Sequence, residues 1–223
     1  MTDKVIFLDI DGPLLPAKQW FHPANAKLRQ EYGDNWWKEI NKHPDFKDRV
    51  VMDPVAVEVF NIWQEMGNAK IVLATNWRRW LEVDDIVYIL ERNGMRINLH
   101  DDFKTQWKMT SNRMHEIGMW MDDNPDTTGI IVDDDSDLRQ YKNWFNNEET
   151  QAELDLDAWQ RKLKLVDVSY SDGINMANIT HANAWLGIDP EVLAHKIFGV
   201  VPLTDEEKAD RKRALEMLMA CAI

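Results

Sequence analysis

Residues 5–15 read VIFLDIDGPLL and place two aspartates at the end of an apolar run. The four apolar residues from Val5 to Leu8 are typical of a strand that is buried on both faces of a parallel sheet. Ligands of such sheets bind beyond the carboxyl ends of the strands, which is where Asp9 falls. If the strand continues by one residue, Asp9 and Asp11 point to the same side because side chains alternate. We therefore predict a parallel α/β sheet with an acidic site at the end of its first strand.

The residues that follow the two acids favour a site for a metal ion and a phosphate. Gly12 and Pro13 end the strand, and the glycine leaves room for an anion to approach the backbone. Carboxylate oxygens are the ligands that Mg²⁺ prefers. The structural alternative is a strand that simply runs into an Asp-Gly turn.

Two later apolar runs also end in polar side chains. Lys70–Thr75 (KIVLAT) ends in a hydroxyl, and Gly129–Val132 (GIIV) runs into Asp133, Asp134 and Asp135. Three acids at the end of a buried strand are costly without a cation, which favours a metal site over a solvated acidic turn. Lys108 lies between these runs, just ahead of a helical pattern.

Taken in order, these motifs resemble those of the haloacid dehalogenase (HAD) superfamily of phosphohydrolases, and in particular the small HAD-domain proteins of bacteria and phages. The resemblance rests on LDIDG, ATNWR, a Trp-Lys pair and IVDDD, within residues 4–140. The segment from Asp172 to Leu186 is similar in layout to the end of that group but lacks the expected Gly-Leu-Thr. The family fold is a Rossmann-like three-layer α/β/α sandwich with a mainly parallel sheet.

The resemblance also implies a domain organisation. We expect a single HAD-like domain over residues 1–223, with its core in 1–15 and 53–203 and a C-terminal helix in 204–220. Residues 16–52 break the βα rhythm and would form a small cap or flap after the first strand. The tryptophans of this segment are either core aromatics or a stacking plate for a ring. They are Trp20, Trp36 and Trp37.

By the same resemblance, Asp9 is the nucleophile that forms an aspartyl-phosphate. Asp11 protonates the leaving oxygen and then activates water. Asp9, the Asp11 backbone carbonyl and Asp133 would hold Mg²⁺, supported by Asp134 or Asp137. The presence of Asp11 favours a phosphatase over a dehalogenase.

The remaining catalytic and substrate-binding candidates follow the second and third motifs. Thr75 would bind a phosphoryl oxygen with Asn76 and Arg78 beside it, and Lys108 would offset the accumulated negative charge. Lys104 competes with Lys108 for this role, and Arg78 is alternatively a surface charge.

The amino-acid composition of the chain limits the classes of partner that it can bind. The chain has 26 basic and 39 acidic residues, a net charge of −13. This surplus of acid argues against extended nucleic acid as a partner but leaves a nucleotide or a strand end open. The single cysteine, Cys221, allows no internal disulfide, and no apolar run approaches membrane-spanning length. We expect a cytoplasmic protein that does not bind membranes.

Two functions remain open at this stage. The first is a Mg²⁺-dependent HAD-type phosphomonoesterase acting on a small phosphorylated substrate, nucleotide or nucleic-acid end. The second is a non-catalytic HAD-fold binding protein. A complete set of Asp11 and the active-site lysine favours turnover.

Overall fold

The computed structural model describes residues 3–33, 45–106, 112–147, 157 and 159–198, and isolated positions beyond them. Contacts divide the chain into two units, Met1–Gly187 and Ile188–Ile223. The predicted single domain over residues 1–223, with a core that ends at residue 203, stays a prediction. The predicted helix at 204–220 lies outside the described residues, apart from isolated positions.

A five-stranded parallel sheet forms the centre of the first unit, in the order β3-β2-β1-β4-β5. The strands are β1 (Lys4–Leu8), β2 (Ala69–Leu73), β3 (Leu99–Lys104), β4 (Thr128–Asp133) and β5 (Leu163–Asp167). Gly129 of β4 is required by this pairing, because a Cβ there would lie 2.0 Å from the Val5 carbonyl oxygen. The sheet confirms the predicted HAD-like α/β fold and places β1 in the middle.

Helices connect the strands and cover the sheet. In the first unit they are α1 (Pro23–Tyr32), α2 (Phe46–Arg49), α3 (Pro54–Gly67), α4 (Val83–Arg92), α5 (Arg113–Asp123), α6 (Ser136–Arg139), α7 (Lys142–Asn146) and α8 (Met176–Leu186). Short 3-10 helices occupy Ala17–Phe21, Asn76–Arg79 and Gln160–Lys162. In the second unit, α9 spans Pro190–Phe198, and Asp189 caps it by accepting a hydrogen bond from the Glu191 amide. No helix in the described part of the chain has the length and apolar character to cross a bilayer.

The two faces of the sheet carry different helices. On one face, Ile117, Trp120 and Met121 of α5 join Phe7 of β1 in a buried cluster. On the other face, α3 and α8 pack together, and the Trp63 indole donates a 2.9 Å hydrogen bond to Asn183. The apolar runs of the central strands are therefore buried on both faces, as their composition predicted.

One strand differs from its sequence prediction. The sequence from Met95 to Leu99 predicts a weak strand, whereas β3 spans Leu99–Lys104. Side chains of α3 bond the preceding backbone instead: the Arg96 and Asn98 amides donate to Asn61 and Gln64, each at 2.7 Å. Apolar composition located this edge of the sheet but misplaced the strand by several residues.

The segment predicted as a cap is partly helical where it is described. It contains the first 3-10 helix, α1 and α2, while residues 34–44, including Trp36 and Trp37, lie outside the described residues. Its two ends meet where the Asp53 amide donates to the Leu14 carbonyl at 2.9 Å. Trp20 is buried, which favours its interpretation as a core aromatic. That the segment covers the active site stays a prediction.

Candidate active site

The register of the sheet brings three polar strand ends to one edge. Leu8 of β1 pairs with Leu73 of β2 and with Val132 of β4, so the residues that follow these strands are neighbours. The Asp9 amide donates to the Val132 carbonyl at 3.1 Å. Asp9, Thr75 and Asp133 therefore leave the sheet side by side, as expected for a ligand site of a parallel sheet.

Asp9, Asp133 and Asp134 form a cluster of carboxylates. One oxygen of each lies within 4.8 Å of the others, and Asp9 and Asp133 are buried. Gly12 permits this approach, because its φ is +80° and a Cβ there would lie 2.5 Å from the Asp134 carboxyl carbon. The turn after β1 thus needs glycine both for its backbone conformation and for contact with the acid from β4.

A buried arginine compensates part of this charge, and the sequence analysis missed it. Arg113 is the first residue of α5, and Nε lies 3.3 Å from Asp133 while Nη2 lies 3.6 Å from Asp9. Burial lowers the pKa of Arg113, but the charges of Asp133 and Asp9 raise it by more, so this pKa lies above its ordinary value. A cation in the first turn of a helix opposes the helix dipole. That position was the signal in the sequence that Arg113 has a partner elsewhere.

The cluster sets three acids against Arg113, and burial disfavours the charged form of each carboxylate. Burial raises the pKa of Asp9 and Asp133 above the usual value, against the opposing charge of Arg113. Burial and the charge of Asp9 raise the pKa of Asp134 to about 6. Asp133 Oδ2 and Arg113 Nη1 have no hydrogen-bond partner among the described residues. Asp133 Oδ2 contacts Arg113 Nε as an ion pair at 3.3 Å without a hydrogen bond. A hard cation with oxygen ligands fits this donor set, since it would coordinate that oxygen and offset the charge of the ionised acids.

The nucleophile candidate is held in one orientation. Asp9 Oδ1 accepts a hydrogen bond from the Ile10 amide at 2.8 Å. The Thr75 hydroxyl bonds the same carboxylate and lowers its pKa, and it also accepts from the Trp77 amide at 3.3 Å. Thr75 therefore lies next to Asp9, where a phosphoryl group attached to Asp9 would need a donor.

Asp11 lies close enough to Asp9 for their charges to interact, but it is outside the carboxylate cluster. Its Oδ2 accepts a 3.0 Å hydrogen bond from the indole of Trp77, which is buried. Burial, followed by the charge of Asp9, raises the pKa of Asp11 to about 7. Both protonation states are thus populated near neutral pH, which suits a group that donates and later accepts a proton.

Arg78 is engaged by the protein itself. Its side chain is 5% exposed, Nη2 lies 2.9 Å from the Glu116 carboxylate, and Nε donates to the Thr75 carbonyl at 2.6 Å. It also donates to the backbone and hydroxyl oxygens of Thr105. These bonds fix the Thr75 loop to Thr105, the residue after β3, and to α5. A role in binding substrate phosphate stays a prediction.

The other predicted site residues are less informative. Asn76 is exposed at the start of its 3-10 helix, and Lys104 is exposed with Nζ 5.7 Å from the centre of the Phe103 ring. Lys108 lies outside the described residues. Asp137 is exposed and its amide donates to Asp135.

The family of the chain is shown by a comparison with known protein families. The matching family model is described as the HAD domain in Swiss Army Knife RNA repair proteins, and it covers residues 5–179. No curated protein and no solved structure matches the chain. The match spans β2 to β5, all of β1 except Lys4, and the acids, arginine and threonine described above. The chain therefore belongs to the HAD domains of the Swiss Army Knife RNA repair family and is a hydrolase of the HAD superfamily.

Proposed function

We propose that this chain is a Mg²⁺-dependent phosphomonoesterase that hydrolyses its substrate through an aspartyl-phosphate on Asp9. The observation that carries the proposal is the convergence of Asp9, Asp133 and Asp134 beside the buried Arg113. Among the described residues, the four carboxylates of Asp9, Asp11, Asp133 and Asp134 lie around the guanidinium of Arg113, so a phosphate dianion would be repelled without further positive charge. Mg²⁺ held by Asp9, Asp133 and Asp134 would supply that charge and polarise the phosphoryl group.

The residues of the site have distinct roles in this reaction. Asp9 attacks phosphorus, and Arg113 and the Thr75 hydroxyl stabilise the charge on the transferred group. Asp11 gives its proton to the leaving alkoxide, and the carboxylate formed then takes a proton from the water that attacks the aspartyl-phosphate. The Trp77 hydrogen bond orients Asp11 for both steps. Inorganic phosphate leaves and Asp9 is regenerated.

For the substrate, we propose a phosphate ester of a nucleotide or of a nucleic-acid end. The family description names RNA repair, and the acidic surplus of the chain favours an end over an extended strand. Kinetics with mononucleotides and with 3′- and 5′-phosphorylated oligonucleotides test this. If the chain hydrolyses none of these substrates, nucleotides and nucleic-acid ends are ruled out as its substrates.

Hydrolysis of p-nitrophenyl phosphate, with Mg²⁺ and with EDTA, tests the mechanism. Asp9→Asn should lower kcat by more than about 10³-fold, since it removes the nucleophile. Asp101→Asn is the matched control, because Asp101 is an exposed aspartate on β3 and should keep wild-type activity. Activity that survives Asp9→Asn, or that is unchanged in EDTA, contradicts the mechanism. Metal binding without turnover would instead favour a non-catalytic HAD-fold binding protein.

A further inference from the structure

An exposed tyrosine lies on the loop that borders the acids. Residues 168–173, read as VSYSDG, follow β5, and Tyr170 in this loop is 54% exposed. Single exposed aromatics are common on protein surfaces and need no explanation by themselves. The attachment of this loop distinguishes Tyr170 from the others.

Both ends of the loop are fixed to the backbone of the active site. At its start, the Val168 amide donates to the carbonyl of Asp133 at 3.0 Å. At its end, Gly173 lies against the turn after β1, because a Cβ there would lie 3.5 Å from the Gly12 carbonyl oxygen. An internal hydrogen bond from the Gly173 amide to Ser169 closes the loop at 2.8 Å. The loop therefore begins next to Asp133 and ends next to Gly12, the glycine that lies against Asp134.

The middle of the loop is also anchored, on the side of the predicted cap. The Ala17 amide donates to the Tyr170 carbonyl at 2.7 Å, and the Lys18 amide donates to Ser171 at 3.1 Å. The backbone of Tyr170 is thus held while its ring remains exposed. A tyrosine on a held backbone has only two side-chain torsions to restrict when a ligand stacks on its ring.

The ring lies within electrostatic reach of the catalytic acids. Partial burial, followed by the charges of Asp11 and Asp134, raises the pKa of Tyr170, and the charge of Arg29 on α1 opposes this rise. The phenol therefore stays neutral at physiological pH and adds no negative charge to an already anionic site. A neutral ring on the loop that borders the acids suits the leaving-group side of a phosphate ester.

We propose that Tyr170 is a specificity-determining residue that stacks on the nucleobase of a substrate whose phosphate lies at Asp9. The inference rests on the proposed function, which supplies the phosphate position. The ligand chemistry is a nucleoside esterified to phosphate, from either a free nucleotide or the end of a strand.

Selectivity measurements on the full-length chain test this role. We compare kcat/KM for adenosine monophosphate and for glycerol phosphate in wild type, Tyr170→Ala and Tyr170→Phe. Stacking on an aromatic side chain predicts that Tyr170→Ala lowers the adenosine-to-glycerol ratio by about 5- to 150-fold, mainly through KM for the nucleotide. Tyr170→Phe keeps the ring and should keep the ratio. A 3′-phosphorylated dinucleotide as a further substrate distinguishes a strand end from a free nucleotide.

Tyr88→Ala is the matched control, because Tyr88 is also exposed but its hydroxyl bonds Asp48 on α2. It should keep the wild-type ratio. An unchanged ratio in Tyr170→Ala, or the same loss in Tyr170→Phe, overturns the inference while leaving the phosphatase proposal in place.

A binding measurement tests the role of Tyr170 in nucleotide binding independently of turnover. In the Asp9→Asn background with Mg²⁺, calorimetry compares adenosine monophosphate binding with and without Tyr170→Ala. The inference predicts a loss of affinity by a similar factor. Equal affinity in the two variants overturns it, even if wild type hydrolyses no phosphate ester and the proposed function fails.

Discussion

Replacement of Arg113 by Met should destabilise the metal-free protein by roughly 3–5 kcal/mol, the usual result of removing one partner of a buried ion pair. The Arg113 side chain is 4% exposed, and those of Asp133 and Asp9 are 1% and 8% exposed, so water cannot replace the lost guanidinium. The acids would respond by binding protons, which limits the loss at low pH. The loss should therefore be larger at about pH 8 than at about pH 5.5.

Urea unfolding in EDTA and in Mg²⁺ measures this effect. Saturating Mg²⁺ should recover part of the loss, because a cation bound only to the folded state stabilises it by about 2.7 kcal/mol at a hundredfold excess over Kd. Arg96→Met is the matched control, since Arg96 is exposed and its pairs with Glu58 and Glu65 are long. It should cost less than about 1 kcal/mol.

A second variant separates the contribution of the charge of Arg113 to stability from the contribution of its shape. Arg113→Lys keeps a cation and should lose less stability than Arg113→Met. If Arg113→Met is no more destabilising than Arg96→Met, the guanidinium does not compensate the buried acids and this account of the site is refuted.

Three further predictions concern the same edge of the sheet. Gly12→Ala should weaken Mg²⁺ binding and lower the free energy of unfolding by at least about 1 kcal/mol, because position 12 has a positive φ and a Cβ there would clash with Asp134. Calorimetric titration measures the metal affinity, and urea unfolding measures the stability. In EDTA, the folded-state pKa values of Asp11 (about 7) and Asp134 (about 6) are raised, so the folded state binds more protons than the unfolded state. The unfolding free energy should therefore fall as pH rises from about 4 to about 7. The slope is at most about 1.4 kcal/mol per pH unit for each group, and stability that rises over this range contradicts the shifts. Trp77→Phe removes the hydrogen bond that lowers the pKa of Asp11, so the limb of the pH–rate profile that reports this group should move to higher pH.

The strand ends of the site were predictable from sequence because short apolar runs mark buried parallel strands. Val5–Leu8 and Gly129–Val132 both end in acids, and parallel strands bring such ends to one edge of a sheet. The proximity of Asp9 to Asp133 and Asp134 follows from this rule alone. It needs no knowledge of helix packing.

The cation of the site was not found from sequence, because its position depends on how α5 packs. The prediction placed a lysine before that helix, at Lys108 or Lys104, and it stays a prediction because Lys108 lies outside the described residues. The cation that the structure adds to the carboxylate cluster is Arg113, inside the first helical turn. Arg78 likewise finds Glu116 on α5, 38 residues away, and no local pattern indicates such a pair. Tertiary contacts between distant charges decide which basic residues are buried.

The most direct test of the central claim is a crystal structure with Mn²⁺ in place of Mg²⁺ and with beryllofluoride as a phosphoryl mimic. The account predicts anomalous density for one ion bound by Asp9, Asp133 and Asp134, with beryllofluoride on an oxygen of Asp9 and within hydrogen-bond reach of the Thr75 hydroxyl. An ion bound away from Asp133, or a phosphoryl mimic attached to another residue, would contradict it.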